Sequence, residues 1–185
     1  MLSDKALIRK CKKDHPNAQK QLYEMFSGLV MHIAKRYTGT YQEAEDVFQE
    51  AFVDIYTSLK KTKSIDSLKN WIYTITLRRA ISFYRSKKRE AQMEEELGSQ
   101  LKLSQDDFNI FDKLEYEQLM EFIQKLPDGY RIIFNLYLVE GFSHKEIATS
   151  LDISESTSRS QLTRCKKLVI EYLKQLRTTS YEKTF

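Results

Sequence analysis

One segment restricts the fold of this chain more than any other, because its apolar residues recur at helical spacing without interruption. It runs from Tyr41 to about Leu59, behind a Thr40-x-x-Glu43 sequence that is typical of a helix capping box. The apolar residues follow one another at steps of three and one: Ala44, Val47, Phe48, Ala51, Phe52, Ile55, Tyr56 and Leu59. A stripe of this kind buries one face of an α-helix. We therefore predict a long amphipathic helix here.

The same helical spacing recurs along nearly the whole chain, and few residues interrupt it. Five glycines and two prolines occur among 185 residues, so helix breakers are rare. We predict an all-α fold. The expected helices cover residues 3–13, 17–37, 41–59 and 68–85 in the first half and 113–126, 130–140, 143–151 and 154–176 in the second, with a turn at 127–129 and a frayed tail from 177.

Charge is distributed unevenly along the chain, although the formal net charge is only +4. Residues 78–89 contain six bases and no acid, which suggests a polyanion as partner. Residues 90–112 contain seven acids against Lys102 alone, and they lose the helical period. With 41% hydrophobic residues, the chain can fill two small cores. We predict two small helical domains, 1–89 and 113–185, joined by a flexible or partly helical acidic linker at 90–112.

The cysteines and histidines do not indicate a metal site or a disulfide. Cys11 and Cys165 are far apart in sequence, and the three histidines add no Cys/His ligand spacing. We expect two reduced thiols and neither a metal nor another cofactor. No apolar run approaches the about 18 residues of a membrane-spanning helix, and the first residues lack the apolar core of a signal peptide. We expect a cytoplasmic protein.

Residues 141–168 form the clearest motif, two amphipathic runs hinged at 152–154: GFSHKEIATSLDISESTSRSQLTRCKKL. Ser143-x-x-Glu146 predicts a capping box for the first run, and Ser154 is placed to cap the second, which together give helix-turn-helix spacing. The second run combines apolar packing positions with cations and short hydrogen-bond donors, which can bind guanine edges and phosphates. These polar residues are Ser156, Arg159, Ser160, Thr163, Arg164, Lys166 and Lys167. A solvated basic face on a bundle helix is the alternative, but the caps and the short turn favour DNA binding.

The first half carries a different constellation, in which aromatic residues alternate with cations. Its members are Asn70, Trp71, Tyr73, Arg78, Arg79, Phe83, Tyr84 and Arg85. Aromatic rings can stack on bases outside a duplex while cations hold the backbone, although Trp71 and Phe83 individually are better explained as core residues. Opposite the apolar stripe, residues 43–54 present an acidic face. Solvation alone can explain that face, but a protein partner is a further hypothesis, since acids do not bind DNA.

These residues resemble a known family. The run Glu43-Ala44-Glu45-Asp46-Val47-Phe48-Gln49-Glu50-Ala51-Phe52, followed by Trp71-Ile72-Tyr73-x-Ile75 and a basic helix end, resembles region 2 of the extracytoplasmic-function (ECF) sigma factors of bacterial RNA polymerase. The segment from Leu126-Pro127 to Leu168 resembles their region 4. The resemblance covers about residues 15–175, with the two regions in the family's order and a linker between them.

This resemblance implies a sigma factor, which binds core RNA polymerase and directs promoter-specific initiation without being an enzyme. It implies contacts from Asp46, Gln49 and Glu50 to the clamp helices of the polymerase β′ subunit, and it implies the β subunit as a further partner. It implies capture of the melted minus-10 strand, with one base flipped out, by Lys60, Lys61, Lys63, Asn70, Trp71, Tyr73, Arg78, Arg79, Ser82 and Arg85. It implies minus-35 readout by Ser154, Ser156, Thr157, Ser158, Arg159, Ser160, Gln161, Thr163, Arg164 and Lys167.

The resemblance also implies that the acidic linker threads the RNA exit path, and an anti-sigma factor is a further candidate partner. The sequence departs from common family patterns at Arg78, at Ser82 and across residues 156–161, so no promoter sequence transfers. A stand-alone helix-turn-helix regulator that binds an operator is the alternative, and a helical adaptor without nucleic acid is a third. The first half has a basic aromatic strip and no sign of a ligand pocket or dimer zipper, which favours the sigma factor.

Overall fold

The computed structural model describes residues 3–96 and 115–182, and the side chains within 3–92 and 118–175. This described part of the chain is helical and contains no strand, so the all-α prediction is confirmed. The helices are α1 (Asp4–Cys11), α2 (Pro16–Tyr37), α3 (Tyr41–Lys61), α4 (Leu68–Glu96), α5 (Glu115–Lys125), α6 (Asp128–Phe134), α7 (His144–Leu151) and α8 (Glu155–Glu182), with a π-helical stretch at Asn135–Val139. The chain divides into two compact units, Met1–Phe83 and Tyr84–Phe185.

The core of the first unit lies between α2 and α3 and is closed by α1 and the start of α4. Six of the eight stripe residues of α3 are buried, and Phe48 and Tyr56 are partly buried against the same cluster. The cluster combines α3 with residues of the other three helices, among them Leu22, Phe26 and Val30 of α2, Leu7 and Cys11 of α1, and Leu68 and Ile72 of α4. The predicted amphipathic helix is therefore confirmed, and its apolar face organises this unit.

The start of α3 is fixed by the predicted capping box. The Glu43 amide donates to Thr40 Oγ1 at 3.2 Å, and the Thr40 amide donates back to Glu43 Oε2 at 3.2 Å. A second backbone amide, that of Gly39, donates to the same carboxylate at 2.8 Å. These bonds satisfy amides that a helix otherwise leaves without partners at its first turn.

The core of the second unit joins α5 to α8. Phe122 and Tyr172 stack with centroids 4.2 Å apart and ring planes 5° from parallel. Ile123, Leu126 and Cys165 complete this cluster of buried residues. Apolar burial of this kind provides the main driving force for such a small core.

The turn predicted at 127–129 is wrong, because Pro127 is the N-cap of α6 and Asp128 already lies in its first turn. Only Leu126 and Pro127 separate α5 from α6. The buried guanidinium of Arg131 spans this break, because it donates to the carbonyls of Gln124 at 3.1 Å and Leu126 at 2.9 Å and to Asp128 at 2.6 Å. Asp128 also lies 2.6 Å from Lys87. Although burial opposes ionisation of Asp128, the Lys87 and Arg131 partners hold its pKa below the usual range.

Two helices run further than the sequence predicts. Helix α4 continues to Glu96 and α8 to Glu182, past the predicted ends near 85 and 176. No glycine or proline occurs in either extension, so no residue there interrupts helical hydrogen bonding. Of the predicted linker, residues 97–112 lie outside the described part, as do residues 183–185 of the tail. The domain limits at 89 and 113 stay predictions.

Candidate nucleic-acid interface

The two helices of the predicted helix-turn-helix are separated by a tight, well-capped joint. The Glu146 amide donates to Ser143 Oγ at 3.3 Å, and the Ser143 amide and hydroxyl lie 2.8 and 2.7 Å from Glu146 Oε2. These hydrogen bonds lower the pKa of Glu146. Asp152 ends α7 with φ 55°, in the left-handed region that Asp tolerates better than most residues. The Ser154 hydroxyl then accepts from the Thr157 amide at 3.0 Å and caps α8. The predicted joint is confirmed.

A buried polar contact joins α7 to α8. The hydroxyl of Ser158 is fully buried and lies 2.9 Å from Nδ1 of His144, the first residue of α7. The imidazole of His144 stacks on Tyr137 with centroids 4.6 Å apart, and the Lys166 ammonium lies 5.6 Å from the Tyr137 centroid. Burial lowers the pKa of His144, and the nearby cations Arg159 and Lys166 lower it further, against the opposing effect of Glu155.

The burial of Ser158 corrects its predicted role, since a DNA base cannot reach a hydroxyl with no exposed surface. Ser158 belongs to the packing between the two helices. His144, which the sequence reasoning missed, is its partner. A histidine in the first turn of α7 carries no local signal for this contact, because Ser158 lies 14 residues further along.

The outward face of α8 presents most of the remaining predicted minus-35 residues. Exposed side chains are Ser154, Ser156, Arg159, Ser160, Thr163, Arg164 and Lys167, whereas Thr157 and Gln161 are half-buried. Residues at positions 156, 160, 163 and 167 follow helical spacing and so share one face. Arg159 is 62% exposed and pairs with Glu155 one turn earlier, an ion pair that DNA phosphates can displace at little cost.

The predicted polymerase contacts lie together on α3. Asp46, Gln49 and Glu50 are all exposed and are spaced three and four residues apart, so they share the helix face opposite the buried stripe. The neighbouring Glu43 is engaged in the capping box. The structure therefore brings the three residues into one acidic patch.

Arg79 of α4, which was predicted to bind minus-10 DNA, forms ion pairs with acidic residues of α3. Its Nε and Nη2 atoms donate to Asp54 Oδ2 at 2.7 and 2.5 Å, and its Nη1 atom donates to Glu50 Oε2 at 3.0 Å. Sequence reasoning assigned Arg79 and Glu50 to separate surfaces. The two residues are 29 positions apart, and no local pattern indicates their contact.

The other predicted minus-10 residues divide between exposed and packed positions. Lys60, Lys61, Lys63, Asn70, Arg78 and Ser82 are exposed, and Trp71, Tyr73 and Arg85 are half-buried. Trp71 packs against the core of the first unit but is only half-buried, so part of this residue stays exposed. The Tyr73 hydroxyl accepts from Arg36 Nη1 at 3.4 Å. Trp71, Arg78 and Ser82 lie on one face of α4 by helical spacing.

Within residues 3–96 and 115–182 there is no cluster of three or more His, Cys, Asp or Glu residues that could hold a metal ion. No helix in the same ranges is long and apolar enough to cross a membrane.

Comparison with known proteins matches both halves. Residues 22–90 match the model of Sigma-70 region 2, and residues 116–169 match that of Sigma-70 region 4. The chain is 24% identical over 182 residues to the ECF RNA polymerase sigma factor SigW of Bacillus subtilis, with 93% of this chain and 97% of the relative covered. It is 25% identical over 178 residues to the ECF RNA polymerase sigma-E factor of Escherichia coli K12, covering 91% and 93%. A sigma factor RpoE solved in complex with the anti-sigma factor NepR from Bartonella quintana has a TM-score of 0.48 and 19% identity, over 84% of this chain and 96% of that one.

A region 2 match followed by a region 4 match, on a helical unit that precedes a helix-turn-helix, defines the class as a transcription initiation factor. The chain belongs to the sigma-70 family of RNA polymerase sigma factors, in its ECF group. It directs promoter-specific transcription, and its family is one of non-enzymatic initiation factors.

Proposed function

We propose that three surfaces divide the work of initiation, with Arg79 and Glu50 paired where two of them meet. The outward face of α8 reads the minus-35 duplex, residues 60–67 with α4 capture the melted minus-10 strand, and the acidic patch of α3 binds the β′ clamp helices. The observation that carries this proposal is the exposed polar face of α8 behind a capped helix-turn-helix joint. The factor would act in the cytoplasm, where polymerase and promoters are, with an anti-sigma factor as a candidate regulator.

The minus-35 assignment is supported by the donors that α8 exposes. Arg159 and Arg164 carry planar guanidinium groups that can bond two acceptors on a guanine edge. The hydroxyls of Ser160 and Thr163 donate to backbone carbonyls of their own helix, at 3.0 and 2.9 Å, and their lone pairs stay available as acceptors. Cations and short polar groups on one helix face suit a major groove.

The minus-10 assignment is supported by cations near a partly exposed aromatic ring. Lys61, Lys63 and Arg78 are exposed and can hold phosphates, while Trp71 offers a surface on which a base can stack. A base must leave the duplex before it can stack there, so this surface suits a melted strand.

The polymerase assignment is supported by charge. An acidic patch at Asp46 and Glu50 is repelled by DNA and attracted by a basic protein surface. Gln49 between them can donate as well as accept hydrogen bonds. The clamp helices of β′ are the partner that we propose for it.

Two matched pairs of variants test this division with reconstituted polymerase. Arg159→Ala should weaken promoter binding by about tenfold, the value of one lost bidentate base contact, and leave core binding unchanged. Its control is Lys174→Ala, which removes the same charge about 22 Å further along α8. Asp46→Ala should weaken core binding, whereas Glu24→Ala, an acid on α2 that is 61% exposed, should not.

The readouts are core-binding titrations and promoter-specific transcripts from genomic fragments. If both kinds of variant affect the same step equally, the division into separate surfaces is wrong. The alternative is a stand-alone regulator, and it would be favoured if no fragment gave a transcript while the protein alone bound an operator tightly.

A further inference from the structure

The turn between α1 and α2 is fastened to the segment that follows α3. The ammonium of Lys12 donates to the backbone carbonyl of Thr62 at 2.5 Å, across 50 residues of sequence. Two residues further, Asp14 Oδ2 lies 2.8 Å from the ammonium of Lys60. Neither Lys12 nor Asp14 belongs to any of the surfaces assigned above. Both contact the proposed minus-10 segment, residues 60–67, Asp14 at Lys60 in the last turn of α3 and Lys12 at Thr62, where the loop begins.

The Lys12 contact fixes the point at which the chain leaves α3. Thr62 is the C-cap of α3, with its amide bonded to the Ser58 carbonyl at 3.0 Å and its hydroxyl to the same carbonyl at 2.8 Å. A cation at this end of a helix binds an otherwise unpartnered carbonyl and is favoured by the helix dipole. Lys12 and Thr62 are both half-buried, so water competes less for this bond than for one on the surface.

The loop is held at further points beyond Thr62. Ile65 packs against the core of the first unit. Ser67 starts α4: its hydroxyl accepts from the Asn70 amide at 3.3 Å and its carbonyl from the Trp71 amide at 3.0 Å. Between these points Lys63, Ser64, Asp66 and Ser67 are exposed. The loop therefore presents polar side chains from a backbone that is fixed at both ends.

Asp14 occupies a backbone conformation that favours glycine. Its φ is 56°, in the left-handed region, where a glycine would fit without steric cost. Its side chain uses both oxygens, because Oδ1 accepts from Gln19 Nε2 at 3.3 Å while Oδ2 pairs with Lys60. The aspartate thus ties α2 and the end of α3 to this turn, at some conformational cost.

We propose that Lys12 and Asp14 are positioning residues for capture of the minus-10 strand. They hold residues 60–67 so that a flipped base meets a loop that is already ordered, and the binding of that base does not have to order it. This inference rests on the minus-10 role proposed above. It adds two residues outside the DNA-contacting set, one acting through the Thr62 carbonyl and the other through Lys60.

The test uses polymerase holoenzyme reconstituted with the full chain. The probe is a pool of forked duplexes whose single-stranded non-template segment is randomised, and the readout is enrichment of the preferred sequences over the pool average. We expect Lys12→Met to lower this enrichment about tenfold, the discrimination lost with one well-placed base contact. Lys13→Met removes the same charge from the adjacent exposed position and should keep the enrichment, while both variants lose pool affinity equally. Lys12→Arg, which can still donate to the Thr62 carbonyl, should keep the enrichment near the wild-type value.

The Asp14→Gly variant distinguishes a positioning role of Asp14 from a general loss of stability. Glycine relieves the left-handed backbone, which offsets the loss of two exposed contacts, so the melting temperature should change little, yet enrichment should fall because Lys60 is released. The inference is overturned if the Lys12→Met and Lys13→Met holoenzymes give equal enrichment, or if Lys12→Arg lowers the enrichment as much as Lys12→Met does. It is also overturned if Asp14→Gly keeps the full enrichment. A wild-type holoenzyme that enriches no sequence would instead refute the proposed minus-10 readout itself, and the positioning role with it.

Discussion

The pairing of Arg79 with Asp54 should contribute measurably to the stability of the first unit. Two guanidinium nitrogens of Arg79 lie 2.7 and 2.5 Å from one Asp54 oxygen, and the two side chains are 28% and 35% exposed. Fully exposed pairs contribute about 0–1 kcal/mol, while breaking fully buried ones costs about 3–5 kcal/mol. With intermediate burial and two donors, we expect a coupling free energy of about 1 kcal/mol.

A double-mutant cycle measures this coupling. Arg79→Met, Asp54→Ala and the double variant would be unfolded in urea, with unfolding followed by the fluorescence of Trp71. This residue is the single tryptophan of the chain and packs against the core of the first unit, so the signal reports on that unit. With a urea dependence of about 1–3 kcal/mol per molar, a loss of about 1 kcal/mol in Arg79→Met should lower the midpoint by about 0.3–1 M.

The chain provides its own control pair in the same unit. Lys20 and Glu24 are 3.8 Å apart on α2 and 76% and 61% exposed, and their coupling should be about 0.3 kcal/mol or less. The reasoning is refuted if the Arg79–Asp54 coupling does not exceed that of the Lys20–Glu24 pair. Arg79 would then make no more of a contribution to the fold than a surface cation, and its role would rest on DNA alone.

The capping box of α7 should make the second unit sensitive to acid. Hydrogen bonds from Ser143 lower the pKa of Glu146 in the folded state, so its ionised form contributes stability that is complete above the ordinary glutamate value of about 4.3 and is lost as the pH falls through the folded pKa. The difference in melting temperature between wild type and Glu146→Gln should be largest at neutral pH and vanish in acid; a difference independent of pH would contradict this assignment. Cys165 should resist alkylation, since burial raises its pKa to about 11 and leaves about 100-fold less thiolate than an ordinary thiol. In a Cys11→Ser background, iodoacetamide should label the native protein far more slowly than the urea-unfolded chain, and equal rates would show that the thiol is accessible.

The features that sequence predicted well depend on residues close together in the chain. The two capping boxes each join residues three positions apart, Thr40 with Glu43 and Ser143 with Glu146, so the pattern and the contact coincide. The stripe of α3 was equally readable, because burial of one helix face repeats every turn. The outward face of α8 followed from the same periodicity.

The features that sequence reasoning missed depend on contacts between distant residues. Ser158 looked like an exposed donor on α8, but His144 of α7 lies against it and the packing buries it. Arg79 finds its acidic partners 25 and 29 residues away. A turn was expected after Leu126 because Pro and Gly usually mark turns. The next helix begins at Asp128, and the buried Arg131 bonds to the carbonyls of Gln124 and Leu126 where α5 ends.

The exposed face of α8 also bears on how this chain can change over evolutionary time. The buried side of that helix, with Ser158, Leu162 and Cys165, maintains the fold, while Ser156, Ser160, Thr163 and Lys167 project outward. Substitutions at such exposed positions usually change stability by about 0.5 kcal/mol or less. Under the proposed minus-35 role, a new promoter preference can therefore arise by single substitutions on this face, at little risk to folding. Duplicated copies of such a gene could diverge to different sets of target genes while keeping the same scaffold.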